Sequence, residues 1–292
     1  MRKLLKWLGV SLGLIVVLGV GAFMTLALVG KWRFTHTYVI ATALPSQLLA
    51  SASAERGEMI AITRGCTDCH ADGMRGKVFL DIPAGRFVSP NLTRGRGGIG
   101  ARYTSADAWD HAIRRGIRPD GTPLLRQMPS WFFNRLNDQD VADLAAYLSS
   151  MPSVDNELPP TKLGFLIHVE LGLPESNPAT RRELTSSTSD RPAPGATAAY
   201  GRYIASTACV GCHGAEMKGG PHHDPAGKPA PGLSHVGLWS TSDFIRTLRT
   251  GMAPGDRQLT DWMPWVKFAR FTDEELTALH EYLRTMQPSV GN

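Results

Sequence analysis

The stretches Cys66-Thr67-Asp68-Cys69-His70 and Cys209-Val210-Gly211-Cys212-His213 decide how this chain is read. Two thiols separated by two residues can add across the two vinyl groups of one porphyrin. The adjacent histidine then lies under the iron as its proximal nitrogen ligand. A C-x-x-C pair alone fits a redox dithiol or half of a zinc site, but the following histidine makes the pattern one of c-type haem attachment. All four cysteines of the chain fall in these pentads, so none remains for a disulfide framework. Pooling the four into one zinc site would have to bridge a separation of a whole domain. The expectation is two covalently bound haems c, attached through Cys66, Cys69, Cys209 and Cys212, with His70 and His213 on the irons.

Working outward, the chain repeats itself. Residues 103–151 align without a gap to 238–286 at an offset of 135, with matches at Arg114/Arg249, Gly116/Gly251, Met128-Pro129/Met263-Pro264, Phe133/Phe268 and Tyr147/Tyr282. The pentads pair at an offset of 143, so the first copy has eight more residues between histidine and Met-Pro. So long a period means a duplicated domain rather than a solenoid. The register supplies each haem with a sixth ligand. Met128 and Met263 each lie 12 residues after the matched glycine, and a thioether there closes the iron and raises its potential. A lone methionine is ordinary core filler; here both copies agree. Met151 and Met286 also match but end the last helix, where packing explains them. Met59, Met74 and Met217 are read as lacking counterparts. Pro90 and Pro231 each head a Pro-x-Leu segment and can offer a carbonyl to the proximal imidazole. Trp109/Phe244 and Phe133/Phe268 are expected to wall the haem pockets. His222-His223 is a further imidazole pair nine residues after His213. His36, His111, His168, His235 and His280 have no repeat equivalent and read as structural.

No residue from Leu8 to Val29 is charged. At about 1.5 Å per residue that length crosses a hydrocarbon core of about 30 Å. A cleavable signal has a shorter apolar region followed by small residues, whereas Lys31-Trp32-Arg33-Phe34 follows here. Residues 8–29 are therefore expected to stay as an anchor in membrane lipid. Arg2, Lys3 and Lys6 favour a cytoplasmic N-terminus. The net charge of +5 equals the five basic residues in 1–33, and the rest of the chain balances. The basic pI is thus a topology signal, and no nucleic-acid partner is expected.

Helical spacing and caps place helices at 54–64, 105–115 and 138–149, and again at 198–207, 240–250 and 272–285, with no useful strand pattern. Gly116 and Gly251 suit C-terminal caps; Thr272 with Glu275 forms a capping box and Asn137 with Asp140 a weaker one. The expected fold class is all-α: an anchor with flanks (1–33), a first domain (54–152), a linker (153–195) and a second domain (196–292). The apolar linker segment Leu163–Leu173 is expected to pack between the domains.

The order helix, Cys-x-x-Cys-His, Gly/Pro-rich middle, Met-Pro, then a helix with Leu-x-x-Tyr-Leu (144–148 and 279–283) resembles class I cytochrome c domains, here two in tandem. In the first copy, Ser89-Pro90-Asn91-Leu92-Thr93, Gly98-Ile99-Gly100, residues 116–121 and Met128-Pro129 resemble the cytochrome c subunits of membrane-bound alcohol and gluconate dehydrogenases. That family normally has three haem domains. The resemblance implies a single-pass protein of the cytoplasmic (inner) membrane with its haem domains in the periplasm. It would relay single electrons in a respiratory chain, between a dehydrogenase or quinol-oxidising complex and a terminal oxidase, with no catalysis of its own. The rival readings are a dihaem redox enzyme of peroxidase or thiosulfate-oxidising type, and a docking subunit of an oxidase.

Overall fold

The computed structural model of the chain describes residues 2–176, 192–221 and 227–286; His222 and His223 lie outside them. The main elements, in chain order, are α1 (Arg2–Thr35), α2 (Ala54–Thr63), β1 (Lys77–Ile82), β2 (Gly85–Ser89), α3 (Asp138–Ser150), β3 (Lys162–Leu163), α4 (Phe165–Gly172), α5 (Ala198–Ala208), α6 (Thr241–Thr250), β4 (Met252–Ala253), β5 (Arg257–Gln258) and α7 (Asp273–Arg284). Helix starts follow local capping chemistry. The side chains of Ser53, Asn137, Thr197, Ser240 and Thr272 each accept the N–H three residues on, and Thr272 with Glu275 completes the box. Gly116 and Gly251 stop their helices in the left-handed region, at φ 68° and 72°. The expected helix 105–115 is α-helical over Ala106–Asp110 and then widens into a π turn, His111–Arg115. In that turn Ala112, Ile113, Arg114 and Arg115 are all buried.

The fold is predominantly helical but not all-α. Among the described residues β1, β2 and β3 form an antiparallel sheet in that order, and β4 and β5 a small hairpin. β1 escapes a periodicity search because it is exposed along its whole length, so no face alternates. A bulge at Phe79 breaks its register against β2 as well, with Val78 opposite Val88 and Leu80 opposite Phe87.

The chain divides into two compact units whose limits do not follow the repeat. One holds the described residues within 1–43, 75–131 and 153–186. In it α1 carries the apolar span, and α4 packs on its last turns rather than between domains, contrary to the sequence expectation. Small residues allow this contact. A Cβ on Gly30 would sit 1.9 Å from the His168 carbonyl oxygen, and one on Gly172 would sit 2.0 Å from that of Leu26. Arg33 Nη1 donates to the carbonyls of Gly172 and Leu173, each at 2.8 Å, and so satisfies the C-terminus of α4. Buried Asn91 and Thr93 form a knot. Asn91 Nδ2 donates to the Val154 carbonyl at 2.7 Å, while Asn91 Oδ1 accepts from the Thr93 amide and hydroxyl.

The second unit holds the described residues within 44–74, 132–152 and 187–292. Here two helix pairs are built alike: α2 crosses α3, and α5 crosses α7. Gly57 touches the backbone of Asp143 and Gly201 that of Ala278, and a Cβ would come within 2.0 and 1.8 Å of those carbonyl oxygens. Buried Tyr200, Ile204, Phe244, Phe271, Leu276 and Leu279 fill the core around the α5–α7 crossing. Asp143, buried in α3, accepts from Arg56 Nε (2.8 Å) and Nη2 (3.0 Å) and from the Ser53 amide.

Candidate functional site

The second pentad is built on a short turn, Val210–His213, that continues from α5. The His213 ring is buried. Its Nδ1 lies 2.8 Å from the carbonyl oxygen of Pro231, and a carbonyl can only accept, so Nδ1 carries the proton. The lone pair is therefore on Nε2, which is buried and has no hydrogen-bond partner. An orphaned imidazole nitrogen inside a protein costs free energy unless something fills its valence. Burial also holds the His213 pKa below its ordinary value, against a smaller opposing effect of the Pro231 carbonyl. A neutral imidazole with a fixed tautomer and a free Nε2 suits an iron ligand. Nearby, burial pushes the Cys209 thiol up to about 12, and the Cys66 thiol of the first pentad up to about 11. None of the four cysteines is held in a disulfide. Two thiols and an imidazole on one helical turn fit the attachment chemistry of haem c.

The first pentad lies on the turn Cys66–His70, whose His70 is likewise buried. It begins after Gly65, which adopts a left-handed φ of 76°. Gly65 is an extra residue: nine positions separate Gly57 from Cys66, but eight separate Gly201 from Cys209.

Met128 and Met263 occupy the same backbone turn in their respective copies. The Met128 amide donates to Leu125 and its carbonyl accepts from Ser130, at 3.0 and 2.8 Å. For Met263 the partners are Thr260 and Trp265, at 2.9 and 2.7 Å. Met263 is part-buried against the core of the second unit, while Met128 belongs to the first unit. Trp109, Phe133, Phe244 and Phe268 are all buried, whereas Trp131 and Trp262 are largely exposed. Met74 and Met217 are a matched pair after all, at the same offset of 143 as the pentads. Both are fully buried, at φ 54° and 52°, with their amides on the carbonyls of Ala71 and Gly214. That shared offset was the signal by which the sequence could have paired them. His280 is buried too, stacked on Phe244 with its Nδ1 against Thr241 Oγ1.

Comparison with known families matches residues 54–152 and 198–287 to cytochrome c. The chain belongs to the cytochrome c family. It is 29% identical over 261 residues to the fructose dehydrogenase cytochrome subunit of Gluconobacter japonicus, covering 80% of this chain and 52% of the relative. It is 30% identical over 282 residues to the alcohol dehydrogenase (quinone) cytochrome c subunit of Gluconacetobacter polyoxogenes, covering 83% and 58%. A third relative, the diheme cytochrome c-type protein of Cereibacter sphaeroides, is 34% identical over 125 residues, covering 39% and 42%. The chain thus spans little more than half the length of the first two. As a cytochrome c it is an electron-transfer protein carrying covalently bound haem c.

Within the second unit of this cytochrome, the two pentads are brought against each other's copies. Thr63 and Thr207 end α2 and α5 in equivalent places, each hydroxyl donating four residues back, to Met59 and Tyr203. The Arg64 guanidinium bridges them and lies 5.1 Å over the Phe271 ring. Asp68, inside the first pentad, pairs with Lys267 on the turn after Met263-Pro264. In the reverse sense Gly211, inside the second pentad, faces Phe132, which follows Met128-Pro129. A Cβ there would sit 3.9 Å from the ring. Asp68 matches Gly211 in the repeat, and Phe132 matches Lys267, so the two contacts are halves of one approximate twofold relation. Tyr203 adds a buried link, donating to Asp140 and accepting from Asn137 at the N-terminus of α3.

Proposed function

We propose that this chain is a single-pass, membrane-anchored dihaem cytochrome that relays single electrons. Residues 54–152 and 196–292 are its haem domains, joined by 153–195, and residues 8–29 are its anchor. Haem c, when bound, supplies an iron that gains and loses one electron, at a potential raised by thioether ligation. Cys66, Cys69, Cys209 and Cys212 hold the two porphyrins, His70 and Met128 ligate the first iron, and His213 and Met263 ligate the second. The observation that carries the reading is His213: Pro231 fixes its Nδ1 proton and leaves Nε2 buried and unfilled. The identical Met-Pro turns support the sixth ligands. The contacts of Asp68 and Gly211 with the opposite copy support direct exchange between the haems.

The dehydrogenase subunits among its relatives favour a membrane-bound dehydrogenase as the donor, or else a quinol-oxidising complex, with a terminal oxidase as acceptor. Among the described residues one helix, α1, is long and apolar enough to cross a membrane. The haem domains then belong on the periplasmic side of the inner membrane. Replacing Met128 and Met263 separately by leucine tests the assignment. Each variant is expected to lose the weak Met-to-iron absorption at the red end and to lower one haem's potential in a redox titration. Native spectra in both would mean that other residues ligate. Rapid carbon monoxide binding by the wild-type ferrous protein at neutral pH would point to an open iron and an enzyme.

A further inference from the structure

Helix α1 is accompanied where its apolar span ends. α4 lies along its last turns, with Gly30 on His168 and Gly172 on Leu26, and Arg33 closes the α4 C-terminus. The other end of α4 is tied to the hairpin. The Gly164 amide donates to the Ala84 carbonyl at 2.9 Å, and β3, just before α4, pairs with Gly85 and Arg86 of β2. This one connected body presents a run of large exposed apolar side chains: Val78, Phe79, Leu80 and Ile82 on β1, then Phe165 and Leu166 on α4. β1 is also the edge of its sheet and is exposed on both faces. A bare apolar edge strand in water is an aggregation hazard that native proteins cover or charge.

We propose that the hairpin β1–β2 and the start of α4 dip into the bilayer interface on the haem side, so that the anchor ends in a broad lipid-seated platform. The proposal rests on the reading of residues 8–29 as a membrane span. Lipid is the occupant favoured by continuity: α4 is fixed at Leu26–Arg33, where that span ends, beside exposed Trp32 at the level of an interfacial belt. The charges around the patch suit headgroups. Lys31, Lys77 and Lys162 are exposed, Asp81 is paired with Arg86, and exposed Glu170 lies one turn on from Leu166, at the edge of the patch. A tethered domain would tumble on a flexible stalk; this arrangement would hold the body at one height and tilt.

The native thiols are consumed by haem attachment, so single cysteines can carry a spin label. In the full-length holoprotein in lipid nanodiscs, Leu80→Cys and Leu166→Cys are compared with Val16→Cys inside the span and with Ser150→Cys, at an exposed position that ends α3. Collisions with oxygen and with a water-soluble nickel chelate are the readout. The expected result at positions 80 and 166 is a loss of nickel collisions relative to 150, with oxygen collisions kept. Water-like values at 80 and 166 with a lipid-like value at 16 would overturn the platform and leave the anchor standing. A fall in both collision rates at 80 and 166 would mean cover by protein, which also overturns it. A water-like value at 16 would remove the anchor reading and the platform together.

Discussion

Arg64 and Thr207 are joined by a buried hydrogen bond, Nε to Oγ1 at 3.0 Å, between the residue that caps the C-terminus of α2 and one in the last turn of α5. The same guanidinium reaches Thr63 at 2.9 Å. One side chain therefore binds the two helix ends that deliver the haem-attachment pentads. A buried guanidinium stripped of a partner costs about 1–3 kcal/mol. Thr207→Val, which keeps the volume, is expected to destabilise the holoprotein by that amount in denaturant unfolding. Arg64→Met and Thr207→Val together should cost less than their sum, because they share one interaction. The charge of Arg64 also acts on both pentads, drawing the thiol pKa of Cys209 and of Cys66 down against the larger effect of burial. Arg64→Met is accordingly expected to lower the potentials of both haems in a redox titration.

Gly57 and Gly201 are the points where each helix pair touches backbone to backbone. An added methyl would come within 2.0 Å of the Asp143 oxygen or 1.8 Å of the Ala278 oxygen. Neither obstacle is a flexible side-chain tip, so the helices must separate. Overpacking of this kind costs about 1–3 kcal/mol. Gly57→Ala and Gly201→Ala should each lower the melting temperature, while Gly9→Ala, with nothing within 4 Å, should not.

His280 gives the second copy an acid-sensitive step. Burial holds its pKa below the ordinary histidine value, with the Val236 backbone and then Glu281 raising it and Arg284 lowering it by smaller effects. Above the unfolded pKa of about 6.5 the ring is neutral in both states and costs nothing. As pH falls below that value, the unfolded chain takes a proton that the folded chain refuses, so stability declines by up to about 1.4 kcal/mol per pH unit. His280→Gln should flatten this acid limb of the unfolding free energy. A limb as steep as in wild type would assign the loss to other groups.

Much of this was readable from the chain because it is set locally. Capping needs only residues three apart, so Thr272 with Glu275 and Asn137 with Asp140 announce their helices, and Gly116 and Gly251 end theirs. The proximal carbonyl was readable too, since Pro231 lies in the same copy as His213. β1 was not readable, because a strand with both faces exposed has no alternation to detect. The place of α4 was not readable either. Its partner Gly30 lies well over a hundred residues away, and a glycine in a membrane span looks like any other until something rests on it. Nor does repeat alignment reveal that the long helices of the first copy fold into one unit with the second, which depends on the Arg64, Tyr203 and Lys267 contacts.

The methionines divide by role, and the division can be tested. Met217 is fully buried four residues after His213, at the foot of the pentad, whereas Met263 is part-buried on its Pro-containing turn. Removing a buried methionine side chain costs about 2–5 kcal/mol through the cavity it leaves. Met217→Ala is expected to lose stability on that scale and keep the red-end Met-to-iron absorption of both haems. Met263→Ala should do the reverse, losing one haem's absorption with the smaller packing loss of a part-buried side chain. The same contrast is expected between Met74 and Met128. Spectra and unfolding curves taken on the same four variants separate ligand from packing. If Met217→Ala erased the absorption while Met263→Ala spared it, the two assignments in that copy would have to be exchanged.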